Sequence, residues 1–208
     1  MPKEALVLIG GGGHGVVIAD AVLALGLPLA GFLDDDPDAP LDRDLGGQIE
    51  RLGGFSMLDR PDLMDRHPVI LALGDLSLRR RIIDGRSLRA ATVIHPRAFV
   101  SASATVGVGV FIGPLAVVHA EATVADHAII NSGTMVEHHV RVGVNTHVAP
   151  NATLGGEVRV GADCLIGLGS CVLPGVRVGD GCTVGAGSAV IRDVPAGRAV
   201  VGVPARET

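Results

Sequence analysis

Tryptophan and tyrosine are absent from this 208-residue chain, and phenylalanine occurs four times. A conventional mixed core draws much of its buried area from aromatic rings. The 48% of the chain that is apolar must therefore pack as small aliphatic side chains. The same scarcity removes the stacking platforms on which single-stranded nucleic acid is held. A basic excess is missing too: 17 Lys and Arg stand against 22 Asp and Glu, and no basic block occurs. No nucleic-acid partner is expected, because such a partner calls for a positive face. No apolar run reaches the roughly 20 residues that span a bilayer, so no membrane insertion is expected. The opening MPKEALVLIGGGG interrupts its apolar stretch with glycine, unlike a secretory signal. A cytoplasmic protein is expected. Cys164, Cys171 and Cys182 form no C-x-x-C pair and are odd in number, so a disulfide framework is not expected.

What is abundant is glycine, 30 residues, together with β-branched side chains, a composition of short strands and repeated tight corners. Two regions follow different rules. Residues 1–90 read as α/β: strand Ala5–Ile9, glycine-rich turn, helix Val16–Leu25, strand Leu29–Leu33, strand Val69–Leu73, and a helix beginning at Ser77. That alternation predicts a parallel sheet. Residues 37–62 read as loop with short elements.

Residues 91–208 are organised by a six-residue step. From Ile94 through Val100, Val106 and onward to Val190, all 17 positions at that spacing are Ile, Val or Leu. A small or β-branched residue sits four places after each, and Gly often directly after, as at Gly107, Gly143 and Gly161. Such a repeat predicts a parallel β-helix of hexapeptides. Three short strands make one triangular coil of 18 residues, with corners where Gly or Asn relieves backbone strain. Residues n and n+18 then stack about 4.8 Å apart. Cys164 and Cys182 occupy inward small positions and read as core filler.

Five histidines (His119, His127, His138, His139 and His147) crowd the middle coils, none at an inward aliphatic position. The segment Asn131-Ser-Gly-Thr-Met-Val-Glu-His-His139 departs from the glycine-rich corner pattern, with Glu137 in the slot usually held by Gly. Adding 18 to His138 gives Gly156. An imidazole beside a bare amide is the pairing acyl transfer needs, a general base next to an oxyanion donor. Metal binding by His138, His139 and His147 is an alternative, although the spacing fits no familiar structural zinc site. Solvated surface histidines are another.

GGGGHG after the first strand, FLDDD after the second, LGD after the third, NSGTMVEHHVRVG and the terminal VVGVPAR together resemble the bacterial sugar O/N-acyltransferases of the hexapeptide-repeat superfamily. The likeness is strongest to PglD-like UDP-4-amino-sugar N-acetyltransferases; perosamine N-acetyltransferases and sialic-acid O-acetyltransferases are relatives. The resemblance implies an α/β Rossmann-like half domain (1–90) that binds a nucleotide sugar. It implies a left-handed parallel β-helix (91–208) for acyl transfer, although parallel crossovers are normally right-handed. It implies a homotrimer with acetyl-CoA in the groove between prisms, and no metal. Transferred position by position, it makes His138 the general base and places His147, Gly156, Leu168 and Ala186 against acetyl-CoA. Attack on the thioester is direct, so no catalytic Cys is required. The family usually has an acidic residue after the catalytic His; here His139 stands instead, leaving Glu137 or a neighbouring subunit's carboxylate as alternatives.

Gly10-x-Gly12-x-x-Gly15 between a strand and a helix also matches the dinucleotide fingerprint, with Asp34 where a ribose-binding acid would sit. Ninety residues hold only about half of a doubly wound fold, which argues against an NAD enzyme. Amides at a helix N-terminus still welcome a phosphate. The resemblance places Gly12, Gly13, His14, Asp34, Asp35 and Gly74 against the nucleotide sugar, most simply UDP-linked. The expected reaction is acetyl transfer to the amine of a nucleotide-linked 4-amino-4-deoxy sugar. O-acetylation of a sialic acid or related sugar, and a non-catalytic trimeric nucleotide-sugar-binding scaffold, are the alternatives.

Overall fold

In the computed structural model, residues 4–208 are described; the first three residues of the N-terminal region lie outside the described residues. The chain forms two compact units, the first ending at Pro96 and the second spanning Arg97–Thr208.

The first unit is built on a four-stranded parallel sheet, ordered β3-β2-β1-β4. Its strands are β1 (Leu6–Ile9), β2 (Leu29–Leu33), β3 (Arg51–Gly53) and β4 (Val69–Leu71). Helix α1 (Gly13–Ala24) joins β1 to β2; α2 (Leu41–Asp44) and α3 (Pro61–Met64) are single turns; α4 (Leu76–Gly85) follows β4. β1 is buried along its whole length, as a central parallel strand covered on both sides should be. One face of the sheet packs Val7, Ile9, Leu33, Val69 and Leu71 with Leu58 and Ile82. Strand β3 is one of the short elements within residues 37–62, the stretch read as loop with short elements. It carries no alternating apolar pattern and holds its place through β2, with Phe32 opposite Arg51 and Leu33 opposite Gly53.

The second unit is the left-handed parallel β-helix, made of two-residue strands stacked in register every 18 residues. One sheet stacks Thr105–Val106, Thr123–Val124, Arg141–Val142, Arg159–Val160 and Arg177–Val178; it is called the arginine face below. The apolar face stacks Phe99–Val100, Val117–Val118, Met135–Val136, Thr153–Leu154, Cys171–Val172 and Ala189–Val190. The His147 face includes Phe111–Ile112, Ile129–Ile130, His147–Val148, Leu165–Ile166 and Thr183–Val184. It continues to Ala199–Val201, against which Arg206–Glu207 folds back antiparallel. The second residue of each strand points inward, and the prism fills with Ile, Val and Leu and with the small residues four places on, Ala116 to Val194.

The corners divide their labour differently from the expectation that Gly just after the strand relieves strain. Positive φ falls three residues after the inward aliphatic, at positions such as Gly133, His139, Asn145, Asn151 and Gly169. The glycine directly after the aliphatic has ordinary φ and answers a steric demand instead. A β-carbon at Gly161 would meet the backbone of Asp180, and one at Gly167 the backbone of Ala186.

Cys164 and Cys182 are buried in the prism, as inward fillers should be. Their thiols donate to Gly179 O and Pro195 O, each at 3.0 Å. Burial pushes the Cys164 thiol up to about 11, far from a reactive thiolate.

Candidate active site

Between the apolar and arginine faces runs the edge that carries His119, Glu137, His138, His139 and Gly156. Its corners interlock: Glu157 N–H donates to His138 O, and Gly175 N–H to Gly156 O, both at 2.9 Å. The 18-residue register therefore sets the His138 imidazole directly against Gly156. A β-carbon at Gly156 would come within 2.6 Å of His138 Nε2 and Cε1. Any larger residue at 156 would have to push this ring out of place. The Gly156 N–H has no acceptor among the described residues. A small open recess lies here, lined by His138, Gly156, Glu157, Pro174 and Gly175.

His138 Nδ1 lies 3.1 Å from His139 Nδ1. The rings meet edge to face, with centroids 5.3 Å apart. With the proton on His138 Nδ1, His139 accepts it as a neutral partner and Nε2 of His138 is left as the lone-pair nitrogen above Gly156. The backbone prepares this: His139 occupies the left-handed corner position, φ 59°, a conformation that costs a non-glycine residue about 1 kcal/mol. The Glu137 carboxylate turns elsewhere, toward His119 Nε2 at 3.9 Å. That His119–Glu137 pairing went unread in the sequence, although 119 and 137 are one coil apart.

The remaining candidate donor-binding residues lie along another edge. His147 stands outward on its face, 3.1 Å from Asn131 Nδ2 through its Nε2. Leu168 and Ala186 stack on the edge between the His147 and apolar faces, where Gly187 N–H donates to Leu168 O at 2.8 Å. Both are exposed, Leu168 at 59%. Within one protomer, the strip formed by His147, Leu168 and Ala186 is separated from His138 and Gly156 by the width of the apolar face.

In the first unit the glycine-rich turn sorts into two groups. A β-carbon at Gly10 would lie 2.6 Å from Ala72 O, one at Gly15 2.5 Å from Gly10 O, and one at Gly11 would strike the Phe32 ring. Gly12, Gly13 and Gly74 meet nothing within 4 Å. Gly12 and Gly13 open helix α1, with half-buried His14 in its first turn. Asp34 accepts from Gly11 N–H at 2.7 Å and Asp36 N–H at 2.9 Å; Asp35 accepts from Phe55 N–H at 2.7 Å. Both carboxylates thus fix the loops around the turn. Buried Arg79 donates to Leu71 O at 2.8 Å beside Gly74, and desolvation lowers its pKa to about 10. Nothing in the local sequence SLRRRII distinguishes Arg79 from half-buried Arg80 or exposed Arg81.

Among the described residues no three His, Cys, Asp or Glu side chains converge as metal ligands. No helix of the described residues is long and apolar enough to cross a membrane.

Comparison with known proteins follows the same division. Residues 5–85 match the family described as PglD N-terminal domain, and residues 157–192 the hexapeptide repeat of succinyl-transferase. The acetyltransferase domain of PglB from Neisseria gonorrhoeae FA1090 is 32% identical, with 99% of this chain and 100% of that one covered and a TM-score of 0.91. The same domain has been solved in complex with acetyl coenzyme A. A mutant perosamine N-acetyltransferase from Caulobacter crescentus, in complex with CoA and GDP-perosamine, is 34% identical over 98% of this chain and 96% of that one, with a TM-score of 0.89. WeeI from Acinetobacter baumannii AYE, at 22% identity, shares the fold. No curated protein matches the chain. With likeness running end to end through both units, the chain belongs to the family of acetyl-CoA-dependent sugar N-acetyltransferases built on hexapeptide repeats.

Proposed function

We propose that this enzyme transfers acetyl from acetyl-CoA to the amine of a nucleotide-linked 4-amino-4-deoxy sugar. The observation that carries the reading is the His138 imidazole packed against the free amide of Gly156 on an open edge. His138 Nε2 takes a proton from the sugar amine as the amine attacks the thioester carbonyl carbon. The Gly156 N–H stabilises the oxyanion that develops there, and collapse releases the CoA thiolate. His139 holds His138 in the required tautomer; it supplies a hydrogen bond but no negative charge. Glu137, beside His138 in the chain, faces His119 one coil below and supports the edge through it. His147, Leu168 and Ala186 hold the CoA arm.

The separation of the two edges makes the functional unit an oligomer, a homotrimer in this reading. Exposed large apolar side chains gather on the apolar face and its two edges: Phe99 at 56%, Leu115 at 68%, Leu168 at 59%, Leu173 at 46% and Ile191 at 39%. Such a patch seeks a partner surface. Turning the apolar faces inward brings the His138 edge of one copy against the Leu168 edge of the next. Each groove then receives its base from one subunit and its CoA strip from another.

For the acceptor, the bare turn Gly12–Gly13 at the start of α1 suits a diphosphate, with His14, Asp34, Asp35 and Gly74 around the nucleotide. Gly10, Gly11 and Gly15 are already explained by packing; Gly12 and Gly13 are not. A panel of UDP- and GDP-linked 4-amino-4-deoxy sugars, with CMP-linked and free sialic acid for the O-acetylation alternative, tests the reading by acetyl-CoA-dependent thiol release. Release with an amino sugar that disappears in His138→Ala supports it. Binding without any His138-dependent release points to the scaffold.

A further inference from the structure

The arginine face holds a cluster that the transfer chemistry does not use. Arg141, Arg159 and Arg177 are paired residue to residue on adjacent parallel strands. Strands in a sheet lie about 4.8 Å apart, and like charges directly opposite one another destabilise a sheet. Among the described residues, none of the three guanidinium groups has an ion-pair or hydrogen-bond partner. The fold thus carries a column of three guanidinium groups without an ion pair of their own, with Glu121 and Glu157 at its margin. The column lines a groove of about 400 Å³ that is also bordered by Glu121, His139 and Glu157. Glu157 and Gly175 line the recess at His138 and Gly156 as well, so the groove opens onto the proposed catalytic edge.

We infer that Arg141, Arg159 and Arg177 form a phosphate-binding wall for a substrate held at that edge. A guanidinium fork matches two phosphate oxygens at once, and three forks in register suit a diphosphate or a diphosphate with a further phosphate ester. This inference rests on the proposed function for its substrates. Two of them bring that chemistry: CoA, with a diphosphate and a 3′-phosphate, and the nucleotide diphosphate of the sugar.

The test is calorimetric titration of the full-length protein with CoA, dephospho-CoA, UDP and GDP, in the parent, Arg159→Gln, and the triple Arg141→Gln/Arg159→Gln/Arg177→Gln variant. The Arg159→Gln change is expected to weaken at least one probe about tenfold, and the triple change more, with a shallower salt dependence. Loss of the parent's preference for CoA over dephospho-CoA assigns the wall to the 3′-phosphate. Equal weakening of both CoA forms assigns it to the CoA diphosphate, and weakening confined to UDP or GDP assigns it to the acceptor. The triple variant should melt no lower than the parent, since the three side chains make no bonds, so a folding defect does not mask the result. If the triple variant binds all four probes as the parent does, or the parent binds none, the wall is not a ligand site. The readout needs no turnover, so it stands apart from failure of the acetyl-transfer reading, which His138→Ala reports.

Discussion

The two working edges of the prism obey one lattice and solve opposite problems. At the His138 edge a large polar ring is packed so closely against the next coil that a β-carbon at 156 would displace it. At the Leu168 edge apolar residues stack one coil apart with their side chains exposed. The first has the preorganisation that its proposed catalytic role calls for. The second, in the proposed oligomer, meets CoA and a neighbouring subunit. What separates them is the kind of residue displayed at each corner, since the backbone geometry repeats.

That contrast can be broken most severely at His138. His138→Ala is expected to lower kcat by roughly 10²–10⁴-fold, the usual scale of a general base, with little change in KM for acetyl-CoA. An unchanged kcat in steady-state thiol release would remove His138 from the chemistry. Gly156→Ala comes next. Its methyl must displace the His138 ring while the amide N–H is kept, and a fall in kcat of roughly 10²-fold is expected, the low end of the scale for losing a positioned general base. Folding should survive, because the ring is on the surface; circular dichroism checks this. Leu168→Arg should reverse the pattern, raising KM for acetyl-CoA while kcat at saturation is largely kept.

Mixing the two kinds of lesion sharpens the comparison. If each groove takes one edge from each of two subunits, trimers assembled at random from His138→Ala and Leu168→Arg chains recover about a quarter of the wild-type sites at subsaturating acetyl-CoA. Edges that act within a single chain would give no recovery. The smallest effect belongs to His139. His139→Asp restores a charged acceptor for His138 Nδ1 at a corner whose left-handed backbone Asp tolerates. A gain of a few-fold in kcat/KM is expected, in line with the modest net worth of one charge-assisted hydrogen bond. No gain on the pH-rate profile would mean the imidazole pair already orients the base as well as a carboxylate can.

The uneven legibility of the sequence follows from where information is stored. The β-helix was readable because one inward aliphatic every sixth residue is a chemical requirement, visible from Ile94 to Val190. Its handedness came only with the family resemblance, since the inward pattern is the same for either hand. The pairing of His138 with Gly156 was legible for a related reason, since register every 18 residues converts sequence distance into contact. The arginine column at 141, 159 and 177 is open to the same ruler, but an outward, exposed arginine reads as an ordinary solvated side chain. Strand β3 was not legible: Arg51-Leu52-Gly53 has no period of its own and is recruited by an edge already present. The corner rule was half legible. Glycine is common both one and three places after the aliphatic, but for close approach at the first and for positive φ at the second, two causes that leave the same letter in the sequence.

One consequence of the coil lattice concerns insertions and deletions. Every inward position accepts the same few residues, so removing a single hexapeptide from the middle of the ladder leaves the prism filled. All later coils would nevertheless be turned by one face. Arg159 would no longer stand above Arg141, and Gly156 would leave His138. The interior cannot sense that slip; only the outer surface can. Lengthening or shortening that keeps the surface aligned must therefore come in whole coils, which makes the length of the groove a quantised trait, adjustable by a full turn or not at all.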